Sequence, residues 1–359
     1  MKKIILTLLW LLLPSLAFAR GNESLNRPFL VGPQYPLLFM STTFEPDTAF
    51  PVENGKIYSQ ISFTNLNTYV FTDNSDKVDN PTGDASQFSE SDSSGYSIYI
   101  DGEIDRRYFR IYWGWSDSVE IQLTYRDIRF VKGNLDSTIE GFHSTFGIGN
   151  QGREQTDQDL LEIYVHDNET GENVLVITQP NDSFHQESMT LGLKFNLRKT
   201  STEAISLIFS SNFGDRYIER EINEVNPDYG SEYKKFNDFN YGLLYSSLFP
   251  DWTLHAGFSV AKVGESLLPK SPEEQYYFFL GASWELGSST DLLIQVLEYS
   301  SPFPENNSSA IGSDAREITT GLRWFLADSA TWEMGFTENQ SQGPQNVDIV
   351  FFSNLGWVF

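Results

Sequence analysis

Cysteine is absent from all 359 residues. That excludes disulfides and a lipid-modified N-terminal cysteine, and leaves stability to backbone pairing and packing, although an exported compartment would permit disulfides. Histidine is nearly as scarce, with His143, His166, His185 and His255 the complete set of four. Neither these nor the carboxylates cluster at the spacing of a transition-metal site, and no glycine-rich phosphate loop precedes a helix, so no metal and no cofactor is expected. An enzyme would need a nucleophile, a base and an orienting group. His143 lies beside Ser144, but adjacent residues on a helix point apart. His255 falls on a strand face that Ser259 shares, and nothing in the sequence completes a site around either.

Long apolar runs are lacking beyond the first residues. Lys2 and Lys3 precede the run Ile4–Leu13, Pro14 and the small-residue site Ala17-Phe18-Ala19, the anatomy of a cleaved secretory signal over 1–19 with a mature start at Arg20. The run is too short for a retained membrane helix, which needs about 20 residues, and nothing later approaches that length, so helical membrane spans are excluded. Basic residues are also in short supply. Without Lys2 and Lys3, 22 of the 24 basic residues remain against 49 acidic ones, a formal charge of −27, and nucleic acid is excluded as a partner.

What the sequence has in quantity is aromatic residues, 15% of the chain with 17 Tyr and 28 Phe, and period-two alternation. Val119, Ile121, Leu123 and Tyr125 alternate with Glu120, Gln122, Thr124 and Arg126; Met189, Leu191, Leu193, Phe195 and Leu197 alternate with Thr190, Gly192, Lys194, Asn196 and Arg198. Such runs are half-exposed strands. They fall near 56–71, 96–115, 118–130, 159–167, 172–179, 186–198, 203–213, 238–248, 251–263, 273–286, 290–299, 315–326, 330–339 and 346–359. The even number fits a single-chain transmembrane β-barrel of the antiparallel up-and-down type, with about fourteen strands. The alternative is twelve, if the hairpin 159–179 sits off the wall.

The connections alternate in length, as short periplasmic turns and long external loops do. Short links fall at 116–118, 168–171, 199–202, 249–250, 287–290 and 327–330, and longer ones near 72–95, 131–158, 180–185, 214–238, 264–273, 300–315 and 339–345. Beyond the leader, Trp113, Trp115, Trp252, Trp284, Trp324, Trp332 and Trp357 all lie within a few residues of a short turn or the C-terminus. Tryptophan collects at membrane interfaces because its ring is apolar while its N–H wants a wet partner. The final strand ends in Leu355, Gly356, Trp357 and Phe359, the form of a signal read by barrel-assembly machinery. The partners expected are therefore that machinery during biogenesis, and outer-membrane lipids with lipopolysaccharide.

Some segments break the pattern. Residues 20–54 are Pro-rich and non-periodic, and are expected either as a periplasmic tail or as a lumen plug, because Phe29, Leu30, Leu37, Leu38, Phe39 and Met40 need burial; the barrel then occupies 55–359. The acidic loop with Asp73, Asp76, Asp79, Asp84, Glu90 and Asp92 has no calcium-loop spacing and is read as a solvated face. Leu135, Ile139, Phe142 and Phe146 follow helical spacing and predict a short amphipathic helix in the second loop. Along 96–115 the parity changes: Ile98, Ile100 and Ile104 share one face, and Phe109, Ile111, Trp113 and Trp115 the other. A bulge near Asp105–Arg107 would turn both sets outward. It would place Asp101, Glu103, Asp105, Arg106 and Arg110 in the lumen facing Glu120 and Arg126, as a constriction that sorts permeants by charge or as filling.

The stretches Asp101-Gly102-Glu103-Ile104, Ile139-Glu140-Gly141-Phe142-His143 and Phe146-Gly147-Ile148-Gly149-Asn150-Gln151-Gly152-Arg153 resemble the bacterial envelope family known as domain of unknown function 3187, and the likeness extends more weakly over most of the mature chain. The resemblance implies an outer-membrane-type barrel and brings neither an activity nor catalytic residues with it. Together these readings point to a channel or transporter for small or hydrophobic solutes, with a lipid-acting envelope enzyme or a structural, surface-interaction barrel as rivals.

Overall fold

The computed structural model describes residues 23–35, 38, 44–71, 95–133, 135–137, 141, 144, 159–178, 182–220, 232–264, 273–301, 304, 312–340 and 347–359. The expected leader 1–19, the acidic first loop and most of 138–158, His143 included, lie outside the described residues. Of the helix expected in the second loop, Asp136, Ser137, Gly141 and Ser144 are helical and the rest lies outside the described residues.

The strands are β1 (Ile57–Phe71), β2 (Tyr96–Ser116), β3 (Val119–Val131), β4 (Glu162–Asp167), β5 (Glu172–Thr178), β6 (Asp182–Lys199), β7 (Glu203–Arg220), β8 (Glu232–Leu248), β9 (Trp252–Lys262), β10 (Glu274–Gly287), β11 (Thr290–Tyr299), β12 (Ala315–Ala327), β13 (Ala330–Asn339) and β14 (Val347–Val358). All neighbours pair antiparallel, and β1 bonds to both β14 and β2, which closes the wall on itself. At the seam the Phe359 N–H donates to the Ile57 carbonyl at 2.9 Å.

Fourteen strands form and the closed wall has twelve, the alternative expected from the sequence, because the hairpin of β4 and β5 leaves it. The cause is the length of β2. β3 stops at Val131 opposite Glu103, which strips the outer end of β2 of its partner on that side. β4 supplies the missing ladder, with Tyr96 opposite Asp167 through to Asp101 opposite Glu162. The turn at 168–171, expected among the periplasmic links, therefore stands at the outer tip.

The parity of β2 also departs from the expectation. Its register against β1 runs unbroken from Trp113 opposite Ile57 to Tyr99 opposite Phe71, so no bulge interrupts 105–107. Ile98, Ile100 and Ile104 consequently share the inward face of Arg106 and Arg110 and are fully buried. Asp101, Glu103 and Asp105 share the outward face of Phe109. β1, β3 and β6 invert at the same level: Phe63, Tyr125, Met189 and Leu191 are exposed outward below it, while Leu66, Val70, Ile128, Phe130 and Phe184 are buried inward above it. Below the inversion the outward side chains form an exposed apolar belt, as contact with hydrocarbon requires; above it they are polar, and an apolar interior becomes the better arrangement.

The interior is occupied by the N-terminal segment. Leu25, Leu30 and Val52 form one buried cluster with Tyr58, Tyr112, Phe325 and Val358 at the short-turn end. The Gln34 N–H reaches Glu317 at 2.8 Å, six residues further along β12 than Arg323, which donates to the Arg27 carbonyl. Six residues span about 20 Å of strand. Phe44 then lies beside Tyr277 and Phe279, and the chain returns through Asp47 and Ala49 to Val52. It thus ascends the lumen and descends again before entering β1. Where it leaves, Gly114 is obligatory, since a Cβ there would lie 2.2 Å from the Glu53 carbonyl oxygen.

Candidate functional site

With Pro28, Pro33, Pro46 and Pro51, the N-terminal segment cannot join a ladder, so its buried backbone groups need side-chain partners. The wall provides them. Arg110 donates to the Leu30 carbonyl (3.0 Å), Arg106 to that of Pro33 (3.2 Å) and Ser206 to that of Ala49 (2.6 Å). The Ala49 N–H donates to Ser246 Oγ (2.8 Å), and that of Val52 to Glu120 (2.7 Å).

Three groups of charges lie behind this. The first is a neutral quartet in which Arg27 and Lys194 each touch both Asp47 and Glu120: Arg27 at 2.6 and 3.2 Å, Lys194 at 2.6 and 2.9 Å. Arg27 also sits 4.5 Å from the Tyr58 ring and 5.0 Å from that of Tyr112. The second is Arg323 with Glu333 at 2.7 Å. In the third, Glu45 divides its oxygens between Arg110 (2.9 Å) and Arg126 (3.2 Å). Desolvation alone would cost several kcal/mol per ion, so these groups are tolerable only because they are paired and hydrogen-bonded. Glu45 and Asp47 belong to the segment and to no wall strand. Burial pushes their carboxyls up, but Arg110 and Arg126 in one case, and Lys194 and Arg27 in the other, outweigh it and hold both below their ordinary values.

Of the seven charges expected in the lumen, Arg106, Arg110, Glu120 and Arg126 lie inside, all buried. Asp101, Glu103 and Asp105 are on the outward face, above the apolar belt, and Asp101 and Glu103 are buried there. There Glu103 accepts from the Leu135 N–H, and Asn65 donates to Asp105 at 2.8 Å. Arg27, Glu45, Asp47, Lys194, Arg323 and Glu333 were not singled out from sequence. Lys194, Arg323 and Glu333 were within reach, since each sits at a polar position of an alternating strand whose apolar face must meet lipid.

The tryptophans fall on outward positions at the short-turn end, where Trp113 and Trp115 stack at 6.1 Å and Trp324 meets Trp332 at 5.1 Å. At the C-terminus, Leu355 and Phe359 are exposed outward while Gly356 packs inward against Tyr58 and Thr331. His255 is buried with its Nδ1 at 2.8 Å from Ser246 Oγ, while Ser259 donates to Asn240 instead. The His255 Nε2 has no partner among the described residues, so none of them stands there as the third group of a hydrolytic relay.

The barrel resembles those of solved outer-membrane proteins. An outer membrane channel from Pseudomonas putida F1 is 9% identical, with 88% of this chain and 100% of that one covered and a TM-score of 0.48. The translocator domain of autotransporter NalP from Neisseria meningitidis is 9% identical over 84% and 88%, with a TM-score of 0.46. The P. putida toluene transporter TodX is 9% identical over 86% and 89%, with a TM-score of 0.37. No curated protein sequence matches the chain. The model of the family described as protein of unknown function DUF3187 matches residues 4–356, nearly the whole length, and the chain belongs to that family.

Proposed function

We propose that the chain is an outer-membrane channel or transporter for small or hydrophobic solutes, not an enzyme, held closed by its own N-terminal segment. The observation that carries this reading is the way the lumen is filled. A barrel needs side chains alone to fill about eight strands, and this one has twelve. The extra space is taken by a stretch of chain tethered to the wall at one end through Val52 and otherwise held by side-chain hydrogen bonds and ion pairs. Such contacts can be exchanged for water or solute one by one, unlike a ladder. The polar lower lumen and the apolar upper one give a solute both kinds of surface.

The test is single-channel recording in a planar bilayer with the chain from Arg20 and with a variant lacking residues 24–52. The full chain is expected to be silent or nearly so, and the deletion to show discrete conductance steps. A deletion variant that folds, judged by heat-modifiable gel mobility, and stays silent would sink the channel reading and favour a structural barrel.

A further inference from the structure

Without the N-terminal segment the three charge groups would fare unequally. Lys194 keeps Glu120 and Arg323 keeps Glu333, because those carboxylates belong to the wall. Arg110 and Arg126 lose theirs, because Glu45 comes from the segment. The wall thus carries its own counter-charge elsewhere and imports it here.

The place is built to receive a carboxylate. Arg110 lies two residues beyond Tyr108 on β2, and Arg126 stands opposite Tyr108 on β3. Their guanidinium carbons lie 4.6 and 5.9 Å from the Tyr108 ring, and that of Arg106 at 5.8 Å. Gln60 fixes Arg110 (2.9 Å), while Thr190 (2.5 Å) and Asn212 (3.2 Å) fix Arg126. Preorganised guanidinium groups of this kind are the strongest neutral-pH partners of a carboxylate. Directly above, Ile104 and Ile128 follow Arg106 and Arg126 at two-residue spacing on the same inward face, joined in one buried apolar cluster with Leu66, Phe130 and the segment's Phe44.

We propose that Arg110 and Arg126 are the head-group site for a solute bearing a carboxylate on an apolar body, and that Glu45 occupies it until such a solute displaces it. This rests on the channel reading and names its substrate class. An internal carboxylate competes at an effective concentration of about millimolar or more. Acetate therefore fails, and the apolar body must add the difference by burial against Ile104 and Ile128.

The test is equilibrium dialysis of radiolabelled octanoate against the full chain in lipid nanodiscs, with empty discs as blank and octanol and acetate as comparison probes. Saturable octanoate binding is expected, about tenfold tighter in Glu45→Gln and lost in the Arg110→Gln/Arg126→Gln double variant, while octanol binding is the same in all three and acetate is not retained by the unaltered chain. Glu45→Gln leaves the wall untouched and is decisive if the double variant does not fold. Octanoate bound no tighter by folded Glu45→Gln, or octanol following octanoate across the variants, would overturn the proposal. Binding is read here without conductance, so a silent deletion barrel overturns the channel reading alone, and absent octanoate competition overturns the site alone.

Discussion

Two halves of the same four strands follow opposite rules. In the lower half of β1, β2, β3 and β6 the apolar residues point out and the charges point in, as with Leu191 outward and Lys194 inward; in the upper half the charges point out and the apolar residues in, as with Asp105 outward and Ile104 inward. The backbone parity is continuous through the change. Sidedness is thus set level by level by the medium outside the wall, and a strand longer than the membrane carries two codes in one alternation.

The contrast is broken most severely in the upper core. Ile104→Ala is expected to destabilise the barrel by about 2–5 kcal/mol, a large-to-small change at a fully buried site. Arg107→Ala, three residues on and half exposed outward, is expected to stay within about 0.5 kcal/mol. Urea unfolding from lipid vesicles measures both, and equal costs would mean that Ile104 is not core.

Charge placed on the outside probes where the lower code ends. Leu193→Arg, in the middle of the outward belt on β6, is expected to cost about 2–4 kcal/mol, and Tyr233→Arg, exposed outward above the inversion, about 0–1 kcal/mol. The same unfolding experiment reads the pair. A Tyr233→Arg penalty as large as that of Leu193→Arg would place hydrocarbon above the row where the parity inverts, and the medium would then not be its cause.

Most of the wall was legible because lipid imposes a period of two on every spanning strand and turn lengths alternate with it. Asp101, Glu103 and Asp105 were misplaced because alternation gives relative faces only. Turning Ile98, Ile100 and Ile104 outward demands a bulge only if the outward face is apolar along the whole strand, and above the inversion it is not. The hairpin β4–β5 carries the same alternation as a wall strand, and only the missing partner of β2 beyond Glu103 distinguishes it. Phe29 and Leu30 announced a need for cover, but a non-periodic segment does not say which wall residues will meet it, so Glu45, Asp47 and Arg27 had no signal of their own.

The finest probe of the comparison is protonation, because it acts on the segment and leaves both halves of the wall in place. Glu45 and Asp47 are held below their ordinary 4.5 and 3.8 in the docked state. A carboxyl depressed by docking binds its proton more tightly when undocked, so docking is fully favoured above the ordinary values and weakens as pH falls through and below them. Openings of the full chain in a planar bilayer are therefore expected to rise reversibly below about pH 4, by at most about tenfold per pH unit for each carboxylate. Glu45→Gln should shift the baseline and shallow the rise. Openings that fail to rise below about pH 4 would show that the carboxylate clamps do not hold the segment, and that its apolar contacts with the upper core do.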